Sequence, residues 1–326
     1  MRVLVTGVTG FTGGHLAQTL VARGYRVRGL VRRDDQAREL DASGIEPVIG
    51  SLQDATTLAR AVKEIDIVYN IAALYRQAGL STATYRAVNA TAVGELIEAA
   101  AAAGVQRVVH CSTVGVHGDI EHPPAHEEAP LRPGDVYQDT KVEGERIARD
   151  AATRTGLAVT IARPSGIYGP GDRRLLKLFR GVAHRRFVVL GSGNIFYHLT
   201  YIDDLVEGFR LCGEAPAAAN RTYILAGGEV TTLNELIGLI AAEAGVTPPN
   251  VKLPAWPFWM AGAACEAVCA PLGIEPPIYR RRVDFFTKSR AFDISRARAE
   301  IGYAPQVGLR DGIRRTLQWY REHGWL

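Results

Sequence analysis

Tyr137 and Lys141 stand one helical turn apart, just ahead of a helix-like run from Val142 to Arg154. Upstream, a strand-like segment from Arg107 to Cys111 ends in Ser112 and Thr113. Residues four apart lie on one face of a helix, so the phenol and the ammonium point the same way. A phenol has a reference pKa of about 10 and is a poor base at neutral pH. A neighbouring ammonium favours the phenolate, and a hydroxyl can hydrogen-bond a substrate oxygen. Such a set can move a proton at a carbonyl or secondary alcohol while hydride travels to or from a nicotinamide. Alone, a Tyr-x-x-x-Lys pair is a common exposed helix face. Its place behind a glycine turn and a Ser-Thr strand end gives it meaning.

That chemistry needs a bound dinucleotide, and the chain opens on a stretch suited to one, Arg2 to Leu16, RVLVTGVTGFTGGHL. Val3, Leu4 and Val5 read as a strand, Gly7, Gly10 and Gly13 as a glycine turn, and a helix follows over about His15 to Arg23, stopped by Gly24. The first glycine permits a tight turn, the second lets backbone approach a pyrophosphate, and the third lets the helix lie close on the sheet. The free N–H groups and the dipole at the helix N-terminus face the phosphates. Gly7, Thr9, Gly10, Phe11, Thr12 and Gly13 are the candidate contacts. The next strand, Arg26 to Val31, ends in Arg32 and Arg33, with acids only at Asp34 and Asp35. An acid at the strand end would hold a ribose 2′-OH, whereas a guanidinium suits a 2′-phosphate. The pattern favours NADP(H) over NAD(H), with solvated loop charges as the alternative for the two arginines.

The elements that must position these groups alternate. Glu46 to Ile49 reads as a strand, Leu52 to Val62 contains a helix, and Asp66 to Ala73 is a strand running into a small-residue loop. Tyr85 to Ala103 is a long helix containing Asn89, followed by the strand Arg107 to Cys111. This rhythm specifies an α/β fold with a parallel, doubly wound sheet, whose ligand site lies beyond the strand C-termini. After a strand end and loop at Arg163 to Gly171 the rhythm breaks. Leu175 to His184 suits an amphipathic helix whose basic face is either solvated or turned to an acidic ligand. Phe187 to Leu190 and Tyr223 to Ala226 read as strands, and Thr232 to Ala244 as a helix capped by Thr231 or Thr232. In the tail, Ile301, Gly302 and Tyr303 close one short helix, and Ile313, Leu317 and Tyr320 stripe another.

With 326 residues, 47% hydrophobic and 22% charged, the chain has an ordinary globular composition, enough for one large domain or two smaller ones sharing a cleft. A net charge of +4 without a long basic tract argues against nucleic acid. Cys111, Cys212, Cys265 and Cys269 lack metal-type spacing, so no metal site is expected. The first residues form a strand and show no signal-peptide pattern, from which a reducing, cytoplasmic setting is expected. The apolar stretch 253–272 holds Trp256, Phe258, Trp259 and Met260. It reads as a lipophilic lid, a membrane-touching helix, or a packing or subunit-contact helix. Pro254, Pro257, Pro271 and Glu266 argue against a membrane span.

Taken in order, TGVTGFTGGHL, NIAA, VNATAVGELIEAA, HCSTVGVHG, YQDTK, RPSGIYGPG, LTYIDDLVEG and FDISRARAEIGYAP resemble the extended short-chain dehydrogenase/reductase family. That family includes nucleotide-sugar epimerases and 3β-hydroxysteroid-dehydrogenase-like enzymes, and the resemblance covers nearly the whole chain. It implies that Tyr137 is the catalytic acid/base, that Lys141 lowers its pKa and binds ribose hydroxyls, and that Thr113 occupies the catalytic Ser/Thr position. It further implies cofactor contacts at Asn70, Ala72, Ala73, Pro164 and around Leu52. Where the family often has Asp, this chain has Ser51.

Two departures bear on the substrate. Family members that bind nucleotide sugars hold the diphosphate with an Arg seven residues before the second Asp of the YIDD motif, where this chain has Tyr197. One phenol hydroxyl cannot replace a bidentate guanidinium. The segment STVGVHG also lacks the Asp-Glu pair of sugar dehydratases. Arg280, Arg281 and Arg282 keep the nucleotide-sugar alternative open, and Tyr197 and Arg282 are the candidate substrate contacts. The expected architecture is a Rossmann-type domain over residues 1–164, with returning segments at about 196–226, and a smaller, mostly helical substrate lobe from 165–195 and 227–326. The expected activity is hydride transfer between NADP(H) or NAD(H) and a small-molecule secondary alcohol or ketone, lipophilic in character, from a homodimer. The alternative is a nucleotide-sugar epimerase with tightly bound NAD.

Overall fold

The computed structural model describes residues 1–77, 79–269 and 280–326, except the side chains at 281 and 282. The Arg282 side chain, and residues 270–272 of the apolar stretch, therefore lie outside the described residues.

The first half is a run of strand–helix units: β1 (Arg2–Thr6), α1 (Phe11–Ala22), β2 (Arg26–Val31), α2 (Asp34–Ala42), β3 (Glu46–Ile49), α3 (Ala55–Ala61) and β4 (Ile67–Asn70). Then come α4 (Thr82–Arg86), a π-helical turn (Ala87–Thr91), α5 (Ala92–Ala102), β5 (Arg107–Cys111), α6 (Val136–Thr155) and β6 (Ala158–Pro164). Beyond them lie β7 (Gly166–Tyr168), α7 (Leu176–Ala183), β8 (Val189–Leu190), β9 (Phe196–Tyr201), α8 (Ile202–Glu214), β10 (Thr222–Leu225) and β11 (Val230–Thr232). The chain continues through α9 (Leu233–Ala244), β12 (Lys252–Leu253), α10 (Trp256–Cys269), α11 (Arg280–Thr287), α12 (Ser295–Ile301) and α13 (Leu309–Glu322).

Seven strands form one sheet in the order β10-β6-β5-β4-β1-β2-β3, parallel throughout. Parallel neighbours need crossovers, and the helices supply them on both faces. Along β1, Leu4 joins a buried cluster with Leu58 of α3, Leu96 and Ile97 of α5 and Ala148 of α6. Val3 and Val5 face the opposite cluster, with Leu16 and Leu20 of α1 and Leu205 and Phe209 of α8. This Rossmann-type sheet is the doubly wound fold expected from the strand–helix rhythm. Small sheets lie beyond it, β11-β9-β7 and β12-β8.

The structure differs from the sequence-based expectation at several places, among them β7 (Gly166–Tyr168) inside the expected loop and α6, which begins at Val136 ahead of the run from Val142. The first helix starts at Phe11 rather than His15, because extended Gly10 serves as its N-cap and Gly13 lies inside it. The helix expected over Tyr85 to Ala103 is interrupted by the π-helical turn around Asn89. Periodicity is blind to one inserted residue, and π-turns recur where a side chain must be redirected. The strand expected from Phe187 shrinks to Val189–Leu190. Elsewhere, Thr232 caps α9 in a capping box with Glu235, and Ile313, Leu317 and Tyr320 of α13 are buried as the stripe requires.

Helices α5 and α6 approach closely where glycine permits. A Cβ on Gly144 would stand 2.3 Å from the Asn89 carbonyl oxygen. Alanine is the better helix former by about 1 kcal/mol, but overpacking costs about 1–3 kcal/mol. Gly144→Ala is therefore expected to destabilise the protein, read as a lower urea midpoint with an unchanged slope.

Candidate active site

The site begins at the turn between β1 and α1. Gly7 takes φ +67°, and a Cβ there would meet the Ala72 backbone at 2.8 Å. A Cβ on Gly13 would stand 2.3 Å from the Gly7 carbonyl oxygen. The turn thus packs against the loop after β4 and draws α1 down onto it. No side chain caps α1, so its first N–H groups are open to a ligand.

The loop after β4 is held by a relay of hydrogen bonds. Ala72 N donates to Thr6 Oγ1 at 3.1 Å, Thr6 Oγ1 to Asn70 Oδ1 at 2.8 Å, and the Asn70 amide contacts His110 Nδ1 at 3.2 Å. Asn89, turned inward by the π-helical turn, accepts from Leu74 N at 2.8 Å and donates to Leu74 O at 3.0 Å and to Thr140 Oγ1 at 3.2 Å. Asn70, expected as a cofactor contact, is buried and does not line the cleft. Its carboxamide bonds Thr6 and His110.

Tyr137 lies in the first turn of α6, which Asp135 caps by accepting from Gln138 N at 2.9 Å. Lys141 and Glu145 follow on the same face at four-residue spacing. Lys141 Nζ donates to Cys111 O at 2.6 Å, which ties it to the end of β5. Glu145 is fully buried and accepts from Arg163 Nε at 2.8 Å and Nη2 at 2.6 Å, from Ser112 Oγ at 2.6 Å and from Arg149 Nη2 at 2.9 Å. Burial pushes the Glu145 carboxyl up, but Arg163, Ser112 and Arg149 outweigh it and hold it at about 2. Neither Glu145 nor Arg163 was singled out by spacing, although the Tyr-x-x-x-Lys-x-x-x-Glu ladder continues the same helical face.

Of the two hydroxyls after β5, Ser112 is consumed by Glu145, and Thr113 faces the cleft. Thr113 Oγ1 accepts from Gly115 N at 3.0 Å, leaving its O–H without a partner among the described residues. The Tyr137 hydroxyl likewise has none. Burial raises the Tyr137 pKa, Cys111 and Tyr75 add to this, and the Arg76 and Arg174 guanidiniums oppose it. Burial lowers the Lys141 ammonium, against Cys111 and Glu145. Arg76, a residue that spacing missed, pairs with Asp135 at 2.9 Å and stands 5.8 Å from the centre of the Tyr137 ring.

These groups line one cleft of about 1370 Å³. A small-molecule pocket is typically about 300–1,000 Å³, so the cleft has room for a dinucleotide and a second molecule. Gly7, Thr9, Gly10, Phe11, Thr12, Gly13, Arg32, Leu52, Ala72, Ala73, Thr113, Tyr137, Lys141, Pro164 and Tyr197 all line it. At one end Arg32 is exposed with no side-chain partner among the described residues, whereas Arg33 binds Asp35 at 2.9 Å. At the other end stand Tyr197, His198 and Leu199 of β9 with Phe285, Lys288, Arg290 and Phe292. The Tyr197 hydroxyl donates to the Phe285 carbonyl, so the phenol is part of the wall.

On α10, Trp256 is 69% and Met260 56% exposed, and Phe258 and Trp259 are also exposed. Glu266 binds Arg280 at 2.7 Å, and Arg280 lies over the Trp259 ring. Among the described residues no helix is long and apolar enough to cross a membrane.

Comparison with known proteins places this geometry. A sequence profile described as the NAD dependent epimerase/dehydratase family matches residues 3–226. The 2-alkyl-3-oxoalkanoate reductase of Stenotrophomonas maltophilia (strain K279a) is 30% identical, over 97% of this chain and 98% of that protein. The 3beta-hydroxysteroid-dehydrogenase/decarboxylase isoform 2 of Arabidopsis thaliana is 28% identical over 96% of this chain, which spans 61% of that relative's length. Among solved structures, gox2253 superposes with a TM-score of 0.85 at 30% identity, covering 100% of this chain and 99% of its own. MoeE5 in complex with UDP-glucose and NAD does so at 0.78 and 26%, covering 99% of each chain. The profile match spans every element from β1 to β10, including those that carry the glycine turn, Thr113, Tyr137 and Lys141. The chain belongs to the NAD-dependent epimerase/dehydratase family of extended short-chain dehydrogenases/reductases, and it is an enzyme.

Proposed function

We propose that the protein transfers hydride reversibly between a nicotinamide cofactor, NADP(H) in preference to NAD(H), and a secondary alcohol or ketone of an apolar, non-nucleotide substrate. The observation that carries this reading is the wall at the far end of the cleft. Where nucleotide-sugar relatives are expected to present a guanidinium, Tyr197 is bound to the Phe285 carbonyl beside Leu199 and Phe292. Two relatives are named for oxidoreductases of largely hydrocarbon compounds, a hydroxysteroid and an alkyl-branched oxoalkanoate, the second bearing a carboxylate.

The chain's residues fit a dinucleotide. Side chains at Gly7 or Gly13 would fill the cradle, and the open N-terminus of α1 faces the same cleft. Arg32, free of carboxylates, supports a 2′-phosphate. When bound, the cofactor supplies or accepts the hydride. Tyr137 would hold the proton exchanged with the substrate oxygen, Thr113 would donate a hydrogen bond to that oxygen, and Lys141 would supply the nearby positive charge. Arg76 adds a second cation on the Tyr137 ring. The small sheets, α7, α9, α10 and α11 then serve as the substrate lobe of a cytoplasmic homodimer.

A nucleotide-sugar epimerase is the second reading. It is favoured by the cationic Lys288 and Arg290 on the same wall and by the solved complex of MoeE5 with UDP-glucose. The nucleotide released on denaturing purified protein separates the two. Retained NAD with affinity for UDP overturns the first reading, while no retained nucleotide and preferred NADPH binding support it.

Three outcomes follow for variants. Tyr137→Phe should lower kcat by about 10²–10⁴-fold, the usual weight of a positioned acid/base, with cofactor affinity near unchanged by fluorescence titration. Arg32→Gln should weaken NADPH about tenfold, the weight of one charge-assisted contact, and leave NADH binding unmoved. Arg76→Leu removes a cation that opposes the raised Tyr137 pKa, leaving Arg174, Cys111 and Tyr75 acting on the phenol. For alcohol oxidation, which needs the phenolate, the rise of kcat/KM with pH should then move up by about one unit. An unmoved profile would show that Arg76 does not act on Tyr137.

A further inference from the structure

We infer that Arg290 is the receptor for an anionic substituent of the substrate, a carboxylate or a phosphate, at the end of the cleft opposite Arg32. The inference rests on the proposed reading only in placing the substrate in this cleft.

The argument starts from charge balance along the walls. The cleft is lined by Arg32, Arg76, Lys141, Arg173, Arg174, Lys288 and Arg290. Arg76 is paired with Asp135, Arg174 with Asp172 and Lys288 with Asp284. Arg173, also without a carboxylate partner among the described residues, is exposed over the Trp325 ring. Lys141 stands at the chemistry, and Arg32 at the end suited to a 2′-phosphate. Arg290 is left. Among the described residues it has no carboxylate partner, yet it is half-buried and its surroundings are largely aromatic.

Its placement is rigid. The Arg290 backbone N donates to Phe196 O at 2.8 Å, and Ala125 N donates to Ala291 O at 2.9 Å, so the backbone is stitched to β9 on one side and to the 125 loop on the other. In the side chain, Nη1 donates to Lys288 O at 3.2 Å and Nη2 to Asp284 O at 3.1 Å, and the guanidinium lies 5.8 Å from the centre of the Tyr197 ring. Carbonyl oxygens and a ring face orient a guanidinium without neutralising it. A guanidinium carries five N–H donors, and the two carbonyls and the Tyr197 hydroxyl leave some unused. A fixed cation without a carboxylate partner favours an arriving anion, because the ordering has been done in advance. Phe285, Phe292 and Leu199 line the wall around it, so the ligand that fits is an apolar body bearing one anionic group.

The test is isothermal titration of the cofactor-saturated protein with decanoate, decanol and UDP, for the wild type, Arg290→Gln and Arg290→Lys. Decanoate should bind at least about tenfold more tightly than decanol, the span of a charge-assisted hydrogen bond. Arg290→Gln should erase that preference, and Arg290→Lys, which keeps the charge but loses the carbonyl fork, should keep most of it. UDP binding that Arg290→Gln removes would support the anion site, assign it to phosphate and count against a non-nucleotide substrate. The inference is overturned if decanoate and decanol bind equally and UDP does not depend on Arg290. It is also overturned if both variants weaken decanol as much as decanoate, which marks Arg290 as a brace for the wall. Reduction of a neutral ketone by NADPH, abolished in Tyr137→Phe, bears on the proposed reaction alone and stands apart from either result.

Discussion

The Glu145–Arg163 ion pair ties α6, which carries Tyr137 and Lys141, to β6 beneath it, and through Ser112 to the end of β5. Two turns of α6 below Tyr137, this contact fixes the rotation of the helix. With the face of Glu145 locked onto the sheet, the face of Tyr137 must open over the strand ends. The pair is bidentate, and further bonds from Arg163 to Glu127 O and from Arg149 to Glu145 satisfy the remaining polar atoms. Those bonds offset the desolvation of two buried charges; removing one partner alone costs about 3–5 kcal/mol. Because the folded carboxyl is held at about 2, below its ordinary value of 4.5, its stabilisation is present above that ordinary value and is lost as pH falls through the folded one.

A second constraint couples the glycine turn to the face of α6 that carries Tyr137. Gly7 rests on Ala72, Ala72 is bonded to Thr6, and two residues on Leu74 is clamped by Asn89, whose amide reaches Thr140 on α6. The loop after β4 is thus a spacer whose length sets the distance between the turn and α6. The π-helical turn gives Asn89 its inward direction, and Gly144 lets the Asn89 backbone lie against α6. Each of these residues is far from any reacting atom, yet each governs where Tyr137 stands relative to the dinucleotide cradle.

Most of the sheet was legible because parallel strands are buried on both faces and announce themselves as short apolar runs between turn residues. β2, β3 and β5 fall on their predicted boundaries. The glycine turn and the Tyr137–Lys141 spacing were legible for a different reason: chemistry fixes residue types as well as hydrophobicity. What stayed hidden was whatever tertiary contact decides. The π-helical turn at Asn89 leaves the apolar period almost unchanged. The burial of Asn70 depends on His110, forty residues on. Arg290 reads in the sequence as one more basic residue, and only its neighbours across β9 distinguish it from Arg33, which an adjacent Asp35 neutralises.

The distribution of those neighbours explains how a chain of modest net charge can present a selective cleft. Surface arginines here are mostly answered locally, as in Arg2–Glu64, Arg86–Glu143 and Arg154–Glu98, so they contribute little field at a distance. Among the described residues, the cations along the cleft left without a carboxylate partner are Arg32 beside β2, Lys141 on α6, Arg173, exposed over the Trp325 ring, and Arg290 beside β9. Low-dielectric walls focus the field of such groups into the space between them. A molecule that filled the cleft with apolar bulk alone would leave Arg290 desolvated and unanswered. One carrying its charge at the opposite end would set its apolar end among Phe285, Phe292 and Leu199 and leave Arg290 equally unanswered. The same economy that keeps the surface nearly neutral therefore makes the cleft discriminate by where a ligand carries its charge.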